Sequence, residues 1–281
     1  YDRIDIIELG SYTLEEKMNI ATKYLVKKQR ERNGIKADQL KFDRNAIKDL
    51  IEGYTKEAGV RSLERNIASI CRKVARKIVT EKDFKTFRVR SDNLELLIGP
   101  RKFSKDLVTK TNAIGLVNGL AWTSVGGEIL PIEVAVMPGT GKIQLTGSLG
   151  NVMKESASAA LTCIRTRSEK LGLNPDFYDK NDIHIHAPEG AVPKDGPSAG
   201  ISMATAITSA FCSIPIKGDV AMTGEITLQG RVLPIGGLKE KAMAAYKSGM
   251  KTVIIPHDNI SDLSEVDDVV KENVKFIPVK D

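Results

Sequence analysis

Val192-Pro193-Lys194-Asp195-Gly196-Pro197-Ser198-Ala199-Gly200 is a glycine- and proline-rich stretch that runs into an apolar segment of helical spacing, Ala199 to Phe211. A serine at such a junction sits beside unpaired backbone N–H groups and the positive end of a helix macrodipole. Both suit a nucleophile whose reaction creates an oxyanion next to it. Lys241 follows 43 residues later, four positions into a helix expected to open at Gly236-Gly237-Leu238. Leu238, Ala242 and Ala245 would surround it with apolar surface, and burial disfavours an ammonium, so its pKa is expected to fall from about 10.4 toward neutrality. A neutral lysine can take the proton from a serine hydroxyl. Unlike a histidine it needs no third group to set a tautomer. The Thr223 hydroxyl is a candidate hydrogen-bond partner for the Lys241 amine. The backbone N–H groups of Gly196, Ser198 and Ala199 are candidates for an oxyanion hole, and Asp195 is a candidate for holding that loop open or collapsed.

The segments around this pair are more specific than the pair itself. Gly218-Asp219-Val220-Ala221-Met222-Thr223-Gly224-Glu225-Ile226-Thr227 and Val232-Leu233-Pro234-Ile235-Gly236-Gly237 stand between the serine loop and the lysine helix. A lone G-x-S-x-G is weak evidence, but the loop, the Thr-Gly-Glu strand and the Gly-Gly-Leu-Lys-Glu-Lys helix in this order resemble the proteolytic domain of the Lon family of ATP-dependent proteases. The resemblance covers essentially the whole chain. It implies a Ser–Lys dyad with Ser198 as nucleophile and Lys241 as general base, and it too points to Thr223.

The hydrophobic period divides the chain in two. In the first hundred residues it is helical. Thr13-Leu14-Glu15-Glu16 is a capping box that opens a helix to about Arg32, stopped by Asn33-Gly34. Asp43 caps a second helix through Ile47, Leu50 and Ile51. Val60, Leu63, Ile67, Ile70, Val74 and Ile78 form one apolar stripe of a third. A short fourth, Asn93 to Ile98, stops at Gly99-Pro100. From Ile114 strands and glycine turns take over: Val117–Ser124 and Ile129–Met137 joined by Gly126-Gly127, a helix from Asn151 to Lys170 ended by Gly172, and a strand from Asp182 to Ala187. After the Ser198 helix come strands at 219–223 and 231–235, a helix at 238–247 and strands at 252–255 and 275–279. The expected class is α+β: a four-helix subdomain over 1–100, a connection over 101–112, and a mixed α/β domain over 113–281.

The helical half resembles the small α-subdomain that follows the ATPase core of AAA+ proteins. In that resemblance Gly59-Val60-Arg61-Ser62-Leu63-Glu64-Arg65 matches the sensor-2 motif, and Arg61 would touch the γ-phosphate of ATP held by a preceding large subdomain. An always-charged, forked donor suits that contact. Taken alone, Arg61 is an exposed arginine in a helix's first turn.

Composition bounds the partners. Hydrophobic residues make up 41% of the chain but aromatic ones only 5%, so the cores must be aliphatic. No run of eighteen apolar residues exists to span a membrane. The opening Tyr1-Asp2-Arg3-Ile4-Asp5 is polar, without the apolar stretch of a signal peptide, and reads as the middle of a longer chain. Cys71, Cys163 and Cys212 are widely spaced and read as small hydrophobes of a reducing compartment. The net charge of +6 falls entirely on residues 1–100, which hold 22 Lys and Arg against 16 Asp and Glu. That basic half is a candidate for DNA contact, but Lys27-Lys28-Gln29-Arg30 lacks the interleaved aromatics of a single-strand binder, and a solvated helical surface is the favoured reading.

Four patterns invite other chemistries. Pro138-Gly139-Thr140-Gly141-Lys142-Ile143 imitates a P-loop, but Val136 stands where the motif needs glycine and Ile143 where it needs Ser or Thr. It reads as a hairpin turn, so any Walker motifs would lie upstream of Tyr1. Ser248-Gly249-Met250-Lys251 matches S-x-x-K without its partner motifs. His184 and His186 share a strand face with Asp182; two histidines can bind metal, but no third ligand is evident, and they read as polar residues lining a groove near the Ser198 loop. Finally, Ser198 with Asp219 and His257 has the chain order of a nucleophile-elbow hydrolase, but that elbow needs a strand running directly into the serine turn, and a polar stretch with Pro188 and Pro193 intervenes.

The resemblance therefore implies a serine endopeptidase, part of an ATP-dependent enzyme that degrades unfolded, damaged and short-lived regulatory proteins. It implies ATP and Mg²⁺ in the full-length parent, with neither bound by this fragment alone, a homohexameric ring, and a bacterial cytoplasmic or mitochondrial matrix location. The alternative of another class is a DNA-binding or scaffold module with a vestigial protease fold.

Overall fold

The computed structural model describes residues 12–103, 111–123, 126–174, 176–188 and 194–281. The chain divides into two compact units, Tyr1–Lys105 and Asp106–Asp281. The expected connection over 101–112 lies mostly outside the described residues.

The first unit is built on the apolar stripes. Thr13 and Glu16 exchange both bonds of a capping box, at 3.2 and 2.7 Å, and start α1 (Leu14–Ile20). A π-helical turn, Ala21–Leu25, joins it to α2 (Val26–Arg32) without a break, and Gly34 takes a positive φ beyond its end. β1 (Leu40–Phe42), α3 (Arg44–Tyr54), α4 (Arg61–Thr80), β2 (Phe87–Val89) and α5 (Leu94–Ile98) follow. Leu63, Ile67, Ile70 and Val74 of α4 are fully buried against Ile47, Leu50 and Leu94, as their spacing requires. Two details differ from expectation. β1 and β2 pair in parallel, an addition to the four helices that three-residue strands give too little period to announce. Asp43 occupies the N-cap position of α3, but its carboxylate makes no cap bond; it accepts from Arg88 Nε on β2 at 2.5 Å, because the strand pair brings that guanidinium to it.

The second unit contains β3 (Leu116–Thr123), β4 (Gly126–Pro138), β5 (Ile143–Thr146), α6 (Asn151–Arg165), β6 (Asn181–His186), α7 (Gly200–Cys212), β7 (Val220–Met222), β8 (Glu225–Ile226), β9 (Val232–Leu233), α8 (Leu238–Lys247), β10 (Thr252–Pro256), α9 (Asp268–Asn273) and β11 (Lys275–Val279). Seven strands form one mixed sheet in the order β11-β10-β7-β3-β4-β6-β5, and β8 pairs with β9 as a separate antiparallel ribbon. Alternate residues face opposite sides. Val117, Leu130, Ile132, Ile183 and Ile185 bury one face under α6 and α7; Leu120, Ile129, Ala221, Val253 and Ile255 bury the other with α8 and α9 residues. The sheet is thus the middle of three layers.

Two expectations are corrected here. The Pro138–Lys142 turn is not a hairpin: β6 lies between β4 and β5, so the turn carries the chain across it. The Asp182 carboxylate at the start of β6 accepts from Thr140 N at 2.8 Å and Lys142 N at 2.9 Å, which fixes the crossing. The helix expected to reach Lys170 ends at Arg165, where the bonds tighten from i−4 to i−3 at Arg167 and Ser168. Gly172 still ends the turn, at φ +68°.

Candidate active site

The lysine is placed by α8. Lys241 is its fourth residue, and its N–H closes a helical bond on Gly237 O at 3.0 Å. Its side chain turns inward and is only 2% exposed. Among the described residues no carboxylate compensates it: burial pushes its pKa from 10.5 down to about 8. Its amine donates to Thr223 Oγ1 at 3.2 Å.

Thr223 follows β7 directly and is fully buried. Its N–H is held by Ile254 O of the neighbouring strand at 3.1 Å. Its hydroxyl donates to Ser198 O at 3.3 Å, and Gly224 N donates to the same carbonyl at 2.8 Å. One hydroxyl therefore joins the Lys241 amine to the main chain of Ser198. α7 and α8 come from opposite faces of the sheet and converge at the carboxyl end of β7, where open α/β sheets form their sites.

Ser198 is half-buried in a 3₁₀ turn, Pro197–Ala199, that leads into α7. β6 ends at His186, so no strand runs into the serine; residues 189–193 of the intervening stretch lie outside the described residues. The loop is anchored to the start of α6 instead. Lys194 bridges Leu149, Gly150 N donates to Lys194 O at 2.7 Å, and Asp195 Oδ1 accepts from Met153 N at 3.0 Å. Asp195 thus caps α6 from outside, in place of Gly150, whose missing side chain leaves the space for that carboxylate. Ser156 Oγ also donates to Pro197 O, at 3.3 Å. Gly196 N–H donates to Asp195 Oδ1 at 3.0 Å, so it is already engaged. Pro197 has no N–H, and in a 3₁₀ turn the third residue is the first whose N–H reaches a carbonyl. Ser198 N–H is the one the turn leaves unused.

The rival constellations come apart. Asp219 precedes β7 and His257 follows β10, and these parallel neighbours pair Val220 with Thr252. The two residues stand at opposite ends of their strands, about 20 Å apart at the usual rise per residue. His257 faces Asp258 instead, at 3.5 Å. His184 Nε2 and His186 Nδ1 both bond Thr146 Oγ1, at 2.9 and 2.7 Å, while Asp182 holds the 138–142 turn. Among the described residues no group of three or more His, Cys, Asp or Glu could hold a metal ion. Ser248 is the C-cap residue of α8.

In the first unit Arg61 is the first residue of α4 and is exposed. The N–H groups of the next two residues are not available to a phosphate: Glu57 accepts from Ser62 N at 2.8 Å and Leu63 N at 2.9 Å. The helix start therefore offers a nucleotide one guanidinium and no backbone cradle. Among the described residues no helix is long and apolar enough to cross a membrane.

The model of the Lon protease (S16) C-terminal proteolytic domain matches residues 88–281, and that of the Lon protease AAA+ ATPase lid domain matches residues 31–87. The chain belongs to the Lon protease family. It is 53% identical over 279 residues to the Lon proteases of Vibrio parahaemolyticus and Escherichia coli K12, which covers 99% of this chain and 36% of each relative. The Lon protease of Trichlorobacter lovleyi is 52% identical over all of this chain and 34% of its own length. The chain thus spans about a third of the relatives it matches. It carries the Lon lid and the Lon proteolytic domain, helical and mixed respectively.

Sequence reasoning singled out Ser198, Lys241 and Thr223, which the fold brings together, and Asp195, which it turns toward α6. It missed Ser156 and Gly150 behind the serine loop. Gly150 carried a signal: a glycine at the start of an apolar helix that lacks any capping side chain of its own.

Proposed function

We propose that the second unit is a serine endopeptidase in which Ser198 and Lys241 act as a dyad. The observation that carries this reading is the buried amine of Lys241, held by Thr223 with no compensating carboxylate among the described residues. Burial favours the neutral amine, the form that a base requires. Neutral Lys241 takes the Ser198 Oγ proton as the oxygen attacks a peptide carbonyl. Ser198 N–H faces the oxyanion that results. The resulting ammonium then protonates the leaving amine, and the C–N bond breaks to leave an ester on Ser198. Water, deprotonated by the regenerated amine, releases the acid and restores the serine.

In the parent enzyme this unit would act on unfolded, damaged and short-lived regulatory proteins, in a cytoplasmic homohexameric ring fed by ATP-driven unfolding. Arg61 would contribute one charge to the γ-phosphate, with the phosphate cradle and Mg²⁺ ligands supplied by a preceding ATPase core. DNA contact through the basic helical unit would be secondary to that role. By itself the chain should cleave only peptides and loose polypeptides, without ATP.

The test is a fluorogenic peptide assay together with labelling by a serine-directed phosphonate. Ser198→Ala should abolish both while keeping the fold, since a half-buried hydroxyl contributes at most about 2 kcal/mol even as a helix cap. Cleavage by Ser198→Ala comparable to the parent would sink the dyad. An unlabelled, inactive parent chain would favour the scaffold alternative.

A further inference from the structure

The β3–β4 hairpin touches the first turn of α8 at two points, and each contact requires a glycine. Gly127, near the start of β4, lies on the Glu240–Lys241 peptide. A Cβ there would overlap the carbonyl of Glu240 and stand 2.9 Å from Lys241 N. These are backbone atoms, which cannot rotate aside as a side chain can. The second point is Trp122, the cross-strand partner of Gly127. Gly237, just before α8, has φ +69°, and a Cβ on it would stand 2.8 Å from Trp122 Cγ. The Trp122 side chain is 60% exposed, so its ring lies against the helix start and not in the core.

The two contacts bracket the segment that delivers the lysine. One end is Gly237, which accepts the Lys241 N–H; the other is the peptide leading into Lys241. The amine beyond reaches Thr223 at 3.2 Å, near the long limit for an N–H···O bond, so a shift of about 0.5 Å would break it. We propose that the β3–β4 hairpin is a fixed stop that sets the position of Lys241 over Thr223, with Gly127 as its positioning residue. This rests on the reading of Lys241 as the base.

Loosening the stop should also change the titration of the amine. The charged groups on the elements packed against α8 are Glu128 and Glu133 on β4, Asp262 and Glu265 in the 261–265 turn, and Asp268, Lys271 and Glu272 on α9. None of them contributes to the depressed pKa of Lys241, which comes from burial. Partial exposure of the amine therefore moves its titration toward the ordinary lysine value.

The experiment is peptide hydrolysis by the whole chain across the range from about pH 6 to 10, which spans the depressed and ordinary lysine values. Gly127→Ala should lower kcat by roughly tenfold or more, leave KM within about twofold, and move the midpoint of the pH–rate curve to higher pH. Gly236→Ala, where an added Cβ meets nothing within 4 Å, should behave as the parent. Trp122→Ala removes one contact without adding an atom and is read if Gly127→Ala fails to fold by circular dichroism. It should lower kcat about threefold and shift the midpoint in the same direction. A folded Gly127→Ala or Trp122→Ala enzyme with the parent's kcat and midpoint would overturn the proposal while Lys241→Ala is inactive. A change in KM alone on Trp122→Ala would place the ring against substrate and also overturn it. An active Lys241→Ala enzyme would remove the base reading itself.

Discussion

Two cations stand in the first turns of two helices, Arg61 on α4 and Lys241 on α8, and both sit at the positive end of a macrodipole where a cation is unfavourable. Their surroundings differ. Arg61 is in solvent, and the Glu57 carboxylate on the adjacent N–H groups offsets the positive helix end. Lys241 is buried, with one hydroxyl as its partner. The first is a guanidinium, always charged and suited to binding an anion. Burial makes the second a group that can lose its proton near neutral pH. Both are first-turn cations, but a guanidinium keeps its proton anywhere, while the amine's burial lets it give one up.

The largest effect should come from exchanging these roles. Lys241→Arg keeps the charge but cannot act as a base, so it should be as inactive as Lys241→Ala, at least 1,000-fold below the parent in kcat/KM. Arg61→Ala in this chain should leave peptide cleavage within about twofold of the parent. In a full-length enzyme it should impair ATP-coupled degradation of folded substrates. Substantial peptidase activity in Lys241→Arg would make the lysine an electrostatic group and erase the contrast.

Titration sharpens the same comparison. Peptide cleavage should rise with pH and level off near the Lys241 pKa of about 8. Stability has a definite sign. The folded pKa lies below the unfolded value of 10.5, so below about pH 8 both states carry the proton and the folded state bears the full cost of a buried ammonium. Between those values the unfolded state binds the proton and the folded state does not, so stability rises with pH. That cost is about 3 kcal/mol. Lys241→Met should therefore unfold at higher denaturant concentration than the parent at neutral pH, with the gain fading toward about pH 10. Urea titrations at several pH values measure this, and a pH-independent gain would show that packing and not charge is responsible.

The smallest effects concern the outside caps. Asp195 caps α6 and Glu57 caps α4 through backbone N–H groups. Replacing either by alanine should cost about 1 kcal/mol in urea unfolding. Only Asp195→Ala should also lower peptide cleavage, because the same carboxylate anchors the serine loop. Equal cleavage by both variants would reduce Asp195 to a cap.

The helical unit was legible because its signals are local. A capping box, a glycine stop and a stripe recurring every three or four residues specify a helix without knowledge of its neighbours, and α4 follows that stripe along its length. The strand pair in that unit was not legible, since three residues carry no period. In the mixed unit α8 and β11 have the expected bounds. The path between β4 and β5 does not follow expectation, because strand order depends on which strand inserts between two others, and Asp182 acts there from some 40 residues away.

The chemistry available was already written along the chain: a serine at a loop–helix junction, a lysine in an apolar helical setting, and a threonine after a buried strand. Those are properties of residue type and short-range spacing. The packed fold was needed to point Lys241 at Thr223, to set Thr223 on the carbonyl of Ser198, and to turn Asp195 to α6. It also decided that Gly127 presses on the peptide before Lys241. Each of these contacts joins elements brought together by sheet order, and a hydrogen bond or a van der Waals limit acts only over the last few ångströms, after the core has set the distance.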